Sequence, residues 1–311
     1  MGAQSYGEGP ALPVSAASQV RTAGPWVHRD VHARGVSFHV VVAGDEPGRP
    51  TVFLLHDFPL NWWSWREQIK ALSDGGFRVI AMDLRGMGGS DLQPDSVELL
   101  DLAEDVVAVA NATGTPSYTL VGTGIGGAVA WTVAHLAPAE LRSVVTFAAP
   151  HPLSRVGRGS SDVTRIPLSR KRKLRSGSLV ETMLTSWCGP SHANHMSGLA
   201  EQYASPLRRV FAANAALEVE QATKKPSSAS KKVLEGRVEV PVWSVRGLRD
   251  GHVPPSSYAD DSTLSGQVVS HVELAESGHF PNEEEPEAVS QILLDHLATI
   301  YPDREGTRSQ G

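Results

Sequence analysis

The chain has 311 residues, 41% hydrophobic and 20% charged, the balance of a globular chain with a sizeable core. Lys and Arg number 28 against 34 Asp and Glu, and this net charge of −6 argues against a dedicated nucleic-acid binder. The lone Cys188 excludes a disulfide framework and a cysteine-ligated zinc site, and no apolar run approaches the roughly 18 residues of a membrane span.

The opening MGAQSYGEGPALPVSAASQV lacks the basic and apolar regions of a secretory signal, so the expectation is a cytoplasmic chain. Residues 1–24 are rich in Ala, Ser, Gly and Pro without periodicity and read as a disordered tail, as do residues 304–311. Strand-like apolar runs follow at 36–42, 51–55, 77–82, 117–121, 143–147, 240–245 and 267–274. Helical periods lie between them at 62–72, 97–112, 126–136 and 286–300. This alternation predicts an α/β fold, a mostly parallel sheet with helices on both faces, and the Val/Ile/Leu runs suit strands buried on both sides.

The rhythm breaks over residues 153–236. They contain no strand-like run and carry a basic stretch, SRKRKLRS, at 169–176. Helical periodicity returns at 197–221, followed by the polar KKPSSASKK. The stretch reads as a helical lid inserted into a core of residues 25–152 and 237–303. The basic side chains at 170–175 read as a solvated loop, with contact to an anionic surface or ligand as the sharper alternative.

Four segments occur in an informative order. LLHDFP places His56, Asp57, Phe58 and Pro59 directly after a strand, and MDLRGMGGSD occupies 82–91. LVGTGIGGAVAW crosses a strand-to-helix junction at 120–131. Asp250 in WSVRGLRDGHVP and His279 in ESGHFPNEEEPE each follow a strand. The order resembles the α/β-hydrolase superfamily over nearly all of residues 26–303 outside the insertion. The His-x-x-Pro turn and AAPHP at 148–152 are similar to its epoxide-hydrolase-like branch.

The resemblance implies about eight strands, an oxyanion loop at His56–Phe58 whose Phe58 N–H acts with that of Ile125, and an Asp250–His279 pair. It also implies lid tyrosines, for which only Tyr203 stands, as readily a packing residue as a ligand-facing one; the second expected tyrosine is missing near Val219. Trp62, Trp63 and Trp65 read as core and lid-contact residues, with a pocket-lining role open for one of them. A small-molecule ligand or substrate is the expected partner, without cofactor, metal or nucleic acid, and a homodimer is left open.

The pattern departs at its most informative place. In Gly122-Thr123-Gly124-Ile125-Gly126, Gly124 occupies the nucleophile position and has no side chain. Thr123, one residue away, aims its hydroxyl elsewhere. Asp57 replaces the usual glycine of the oxyanion loop, where a carboxylate would oppose a developing negative charge or instead hold water or a cationic group. Loss of a triad nucleophile costs on the order of 10⁶ in turnover in other hydrolases. The expectation is therefore a degenerate hydrolase that retains its ligand pocket. The alternative is an active hydrolase in which Asp250 and His279 activate water directly on an epoxide or ester-like molecule.

Overall fold

The computed structural model describes residues 20–92, 97–155, 167–265 and 269–302. Eight strands form one sheet: β1 (Val27–Ala33), β2 (Val36–Ala43), β3 (Thr51–Leu55), β4 (Arg78–Met82), β5 (Tyr118–Thr123), β6 (Leu141–Phe147), β7 (Val242–Gly247) and β8 (Val269–Leu274). Their spatial order is β1-β2-β4-β3-β5-β6-β7-β8. The β1–β2 and β2–β4 pairs are antiparallel, and every other pair is parallel. The fold class expected from the alternation of elements is the one observed.

Period-two alternation divides the core. Val40, Val42, Phe53, Leu55, Ile80 and Leu120 point to one face, against helices α2 (Leu99–Ala112) and α3 (Ile125–Leu136). Val41, Val52, Leu54, Val79, Ala81 and Val121 point to the other, against α1 (Arg66–Asp74) and α12 (Pro286–Ile300). Burial on both sides explains why the central strands read as unbroken apolar runs.

β1 has no such run. VHRDVHA is an edge strand with largely exposed side chains, so its periodicity is weak. It pairs with β2 through a tight turn in which Arg34 and Gly35 both take positive φ (49° and 75°), the handedness that suits a two-residue hairpin.

Between β6 and β7 the chain forms α4 (Leu168–Ser176), α5 (Ser178–Trp187), α6 (Ala193–Gly198), α7 (Ala200–Ala204), α8 (Ala212–Lys224) and α9 (Ser228–Leu234). After β7 come α10 (Asp261–Ser265) and α11 (Pro281–Glu284). One reading needs correction. The basic stretch is helix α4 rather than a loop: Leu174 is fully buried, Arg170 bonds Glu220 at 2.7 Å, and Lys171 bonds Asn214. The polar SSASKK starts helix α9, where the Ser227 hydroxyl accepts the N–H of Ser230 as an N-cap.

The expected tails at 1–24 and 304–311 lie outside the described residues except for 20–24. There Val20 is buried, and its carbonyl accepts the Trp62 indole N–H at 2.6 Å. Among the described residues no helix is long and apolar enough to cross a membrane.

Candidate active site

The site lies at the carboxyl ends of the parallel strands, where open α/β sheets place their crevices. β5 ends at Thr123 and α3 begins at Ile125, so Gly124 alone makes the turn, at φ 50° and ψ −110°. Side chains other than glycine rarely adopt this backbone. The turn is tight on both sides: a Cβ on Gly126 would meet the Leu55 carbonyl oxygen at 2.4 Å. A Cβ on Gly124 would meet a different neighbour, the Asp57 carboxyl group, at 2.0–2.2 Å.

The space an elbow side chain would fill is therefore occupied by Asp57, arriving from the loop after β3. Asp57 Oδ1 accepts the backbone N–H groups of Phe58 (2.7 Å) and Ile125 (2.8 Å). These are the two amides assigned to the oxyanion site, and the structure brings them together on one oxygen. Asp57 Oδ2 is buried, makes no aligned hydrogen bond among the described residues, and lies 3.2 Å from His279 Nε2. Of the roles left open for Asp57, opposing a developing negative charge or holding water or a cationic group, the contacts are those of an anion held by two amides beside the His279 ring.

His56 belongs to the scaffold rather than to the cavity wall. Its Nε2 accepts the Leu84 N–H at 3.1 Å, which leaves Nδ1 to donate to the Asp57 carbonyl at 2.8 Å. Burial lowers its pKa, in keeping with a neutral ring. The Phe58–Pro59 peptide of the same loop is cis.

Asp250 follows β7 and His279 follows β8. His279 Nδ1 bonds Asp250 Oδ2 at 2.8 Å, and Asp250 Oδ1 accepts the N–H groups of His252 (2.7 Å) and Val253 (2.8 Å). Burial would depress the imidazole pKa. The charge and hydrogen bond of Asp250, followed by the nearby Asp57 carboxylate, outweigh it and raise His279 to about 10. The ring is thus a cation held between two carboxylates.

Two further anchors set the His279 loop. Glu284 Oε2 accepts Gly189 and Gly278 N–H, each at 2.7 Å, and Oε1 accepts Phe280 N–H at 2.8 Å. The Trp187 carbonyl, at the end of α5, accepts His279 N–H at 2.9 Å.

A cavity of about 20 Å³ opens onto these groups, with room for about one water. Asp57, Phe58, Gly124, Ile125 and His279 form its sheet side, and Glu220, Thr223 and Lys224 of α8 form its insertion side. Trp187 and His252, stacked 3.9 Å apart, complete the wall.

Tyr203 is not on this wall. It is buried with its hydroxyl bonded to Glu283, which also bonds Arg66, and its ring packs on Trp63. Of the packing and ligand-facing roles open for Tyr203, its contacts are those of packing. None of Trp62, Trp63 and Trp65 lines the cavity; Trp62 and Trp65 are fully buried core residues.

Sequence reasoning missed His252, Trp187, Glu220 and Lys224. His252 stood two residues from Asp250, a usable signal. The other three come from helices whose facing is decided by packing.

Residues 50–286 match a family described as alpha/beta hydrolase fold. The chain is 28% identical over 289 residues to the AB hydrolase superfamily protein YfhM of Bacillus subtilis, covering 86% of this chain and 96% of that protein. It is 38% identical over 150 residues to epoxide hydrolase B of Mycobacterium tuberculosis; that match spans 47% of this chain and only 41% of the relative. Among solved structures, the enol-lactonase from Burkholderia xenovorans LB400 superposes with a TM-score of 0.73 at 20% identity, over 87% of this chain and 100% of that one. With the match covering most of the chain and the sheet order, strand-end site and Asp–His pair in place, the chain belongs to the α/β hydrolase fold family.

Proposed function

We propose that this chain is an active hydrolase of a small, compact electrophile of the epoxide class. The observation that carries the reading is His279, 2.8 Å from Asp250 Oδ2 and 3.2 Å from Asp57 Oδ2, at the floor of a narrow cavity. Holding a buried histidine protonated between two buried carboxylates is costly unless each charge is paired, and every partner here is in place. The 38% match to epoxide hydrolase B supports the epoxide class over esters.

In this reading the helical insertion acts as a lid through α8, the chain is cytoplasmic, and a small molecule is its only required partner. The second reading is a degenerate hydrolase that binds a ligand without turning it over. The narrowness of the cavity favours it.

The deciding experiment measures diol release from a panel of short terminal epoxides, and acid release from short-chain esters, by wild type and His279→Ala. Epoxide turnover that falls about 10³-fold or more in the variant supports the proposal. Absence of turnover together with saturable ligand binding overturns it in favour of the second reading.

A further inference from the structure

We infer that Asp57 is the nucleophile of this chain, its carboxylate entering from the loop after β3 into the space an elbow side chain would fill. The inference rests on the hydrolase reading above and deepens it by naming the attacking atom.

Geometry divides the two oxygens of Asp57 into separate roles. Oδ1 is saturated by the amides of Phe58 and Ile125 at 2.7 and 2.8 Å. Oδ2 carries no aligned hydrogen bond, and the residue borders the cavity. A carboxylate with one oxygen anchored by two amides and the other only ion-paired with His279 Nε2, 3.2 Å away, is oriented for attack, since its rotation is already restricted. Gly124 is the necessary complement. Any Cβ there would lie 2.0 Å from Asp57 Cγ, so the two positions cannot both carry side chains into this space. The missing elbow side chain and the extra acidic residue are thus one change rather than two losses.

The chemistry balances within the site. Asp57 Oδ2 attacks an epoxide carbon and forms a carboxylic ester. The ring C–O bond breaks, and its electron pair goes to the ring oxygen. Esterification removes one of the two negative charges that hold the proton on His279. The imidazolium therefore becomes a stronger acid as the ring oxygen requires a proton, and supplies it.

Neutral His279 then takes a proton from water as that water attacks Asp57 Cγ. The oxyanion develops on Oδ1, already within the 2.7–3.1 Å required of preorganised donors. Collapse expels the diol oxygen, which takes the proton of the new carboxylic acid. Asp57 is again a carboxylate, and His279 is again protonated. The water's oxygen remains in Asp57, and the first product carries the old carboxylate oxygen.

The test uses full-length wild type in excess over 1,2-epoxypropane in heavy-oxygen water, with peptide mass mapping of residue 57 and analysis of the diol. Heavy oxygen in Asp57, with none in the first-turnover diol, supports the proposal. Diol carrying heavy oxygen with Asp57 unlabelled overturns it while leaving the hydrolase reading intact. A persistent hydroxypropyl ester on Asp57 without diol supports the nucleophile and overturns the hydrolytic reading. Neither diol nor adduct overturns both.

Two variants add an independent check. Asp57→Asn should lose about 10³-fold or more in diol formation. The exchange Asp57→Gly with Gly124→Asp should recover turnover and move the label to residue 124. Recovery with the label at neither position would overturn the assignment.

Discussion

At the residue scale, Gly124 and Asp57 share one volume, and this decides what substitution does. Gly124→Ala must hold a side chain at φ 50° and displaces the Asp57 carboxyl group, 2.0 Å from the new Cβ. The backbone term alone is about 1–3 kcal/mol. We expect a stability loss of at least that size by urea unfolding, with diol formation lost together with it. The same variant in an Asp57→Gly background should cost less, because only the backbone term remains. Equal losses in the two backgrounds would show that Asp57 does not fill the elbow space.

At the element scale, the His279 loop has little regular structure of its own between β8 and α11. Glu284, the last residue of α11, organises it by accepting three backbone N–H groups with one carboxylate. One of them, from Gly189, belongs to the insertion, so the side chain also ties the insertion to the sheet. Glu284→Ala leaves three buried donors without that acceptor, each worth about 1–3 kcal/mol. We expect at least about 3 kcal/mol of destabilisation by urea unfolding and a lower kcat. Glu284→Gln, which retains an acceptor oxygen, should recover part of both. A variant with unchanged stability would mean that water replaces the carboxylate freely.

At the scale of the whole molecule, buried titratable groups set a stability optimum. Burial lowers His135 to about 4, His151 to about 3 (with a smaller contribution from His135), and His296 to about 4. The unfolded chain binds these protons below about 6.5, so their contribution is present above that pH and is lost as pH falls toward 4. Asp261, raised to about 7 chiefly by burial, opposes them with the other sign: its contribution is lost as pH rises from about 3.8 to 7. Burial also raises Glu140, Glu283 and Glu284, in the same sense as Asp261, and lowers His28, His56 and His271, in the same sense as the other imidazoles, so six imidazoles stand against four carboxyls. On the alkaline side His279, raised to about 10 by Asp250 and Asp57 against its burial, stabilises the fold below about 6.5, and this is lost as pH rises through 10. Thermal unfolding should therefore show its highest Tm near pH 6.5–7, falling by about 4 °C or more by pH 5 and again by pH 9.5. In His279→Ala the alkaline decline should shrink while the acid decline remains; a steady rise of Tm through pH 9.5 in wild type would contradict the His279 assignment.

Local sequence determined most of the frame. Unbroken apolar runs specify strands buried on both faces, and the order of the turn motifs places Asp250, His279, Phe58 and Ile125 at the strand ends, because each motif is fixed to a strand by one or two residues. Single residues also carried the glycine at 124, since only glycine lacks the side chain that the register calls for. What sequence could not decide is the use of shared space. Whether Asp57 opposes the site or fills it depends on a contact between residues 68 positions apart, set by the pairing of β3 with β5. Facing is likewise a tertiary matter: Tyr203 turns to Glu283 while Glu220 and Lys224 reach the cavity, because helix packing rather than composition selects which side of α8 is covered. β1 escaped notice for the related reason that an edge strand is held by its backbone pairing to β2, which leaves little trace in side-chain polarity.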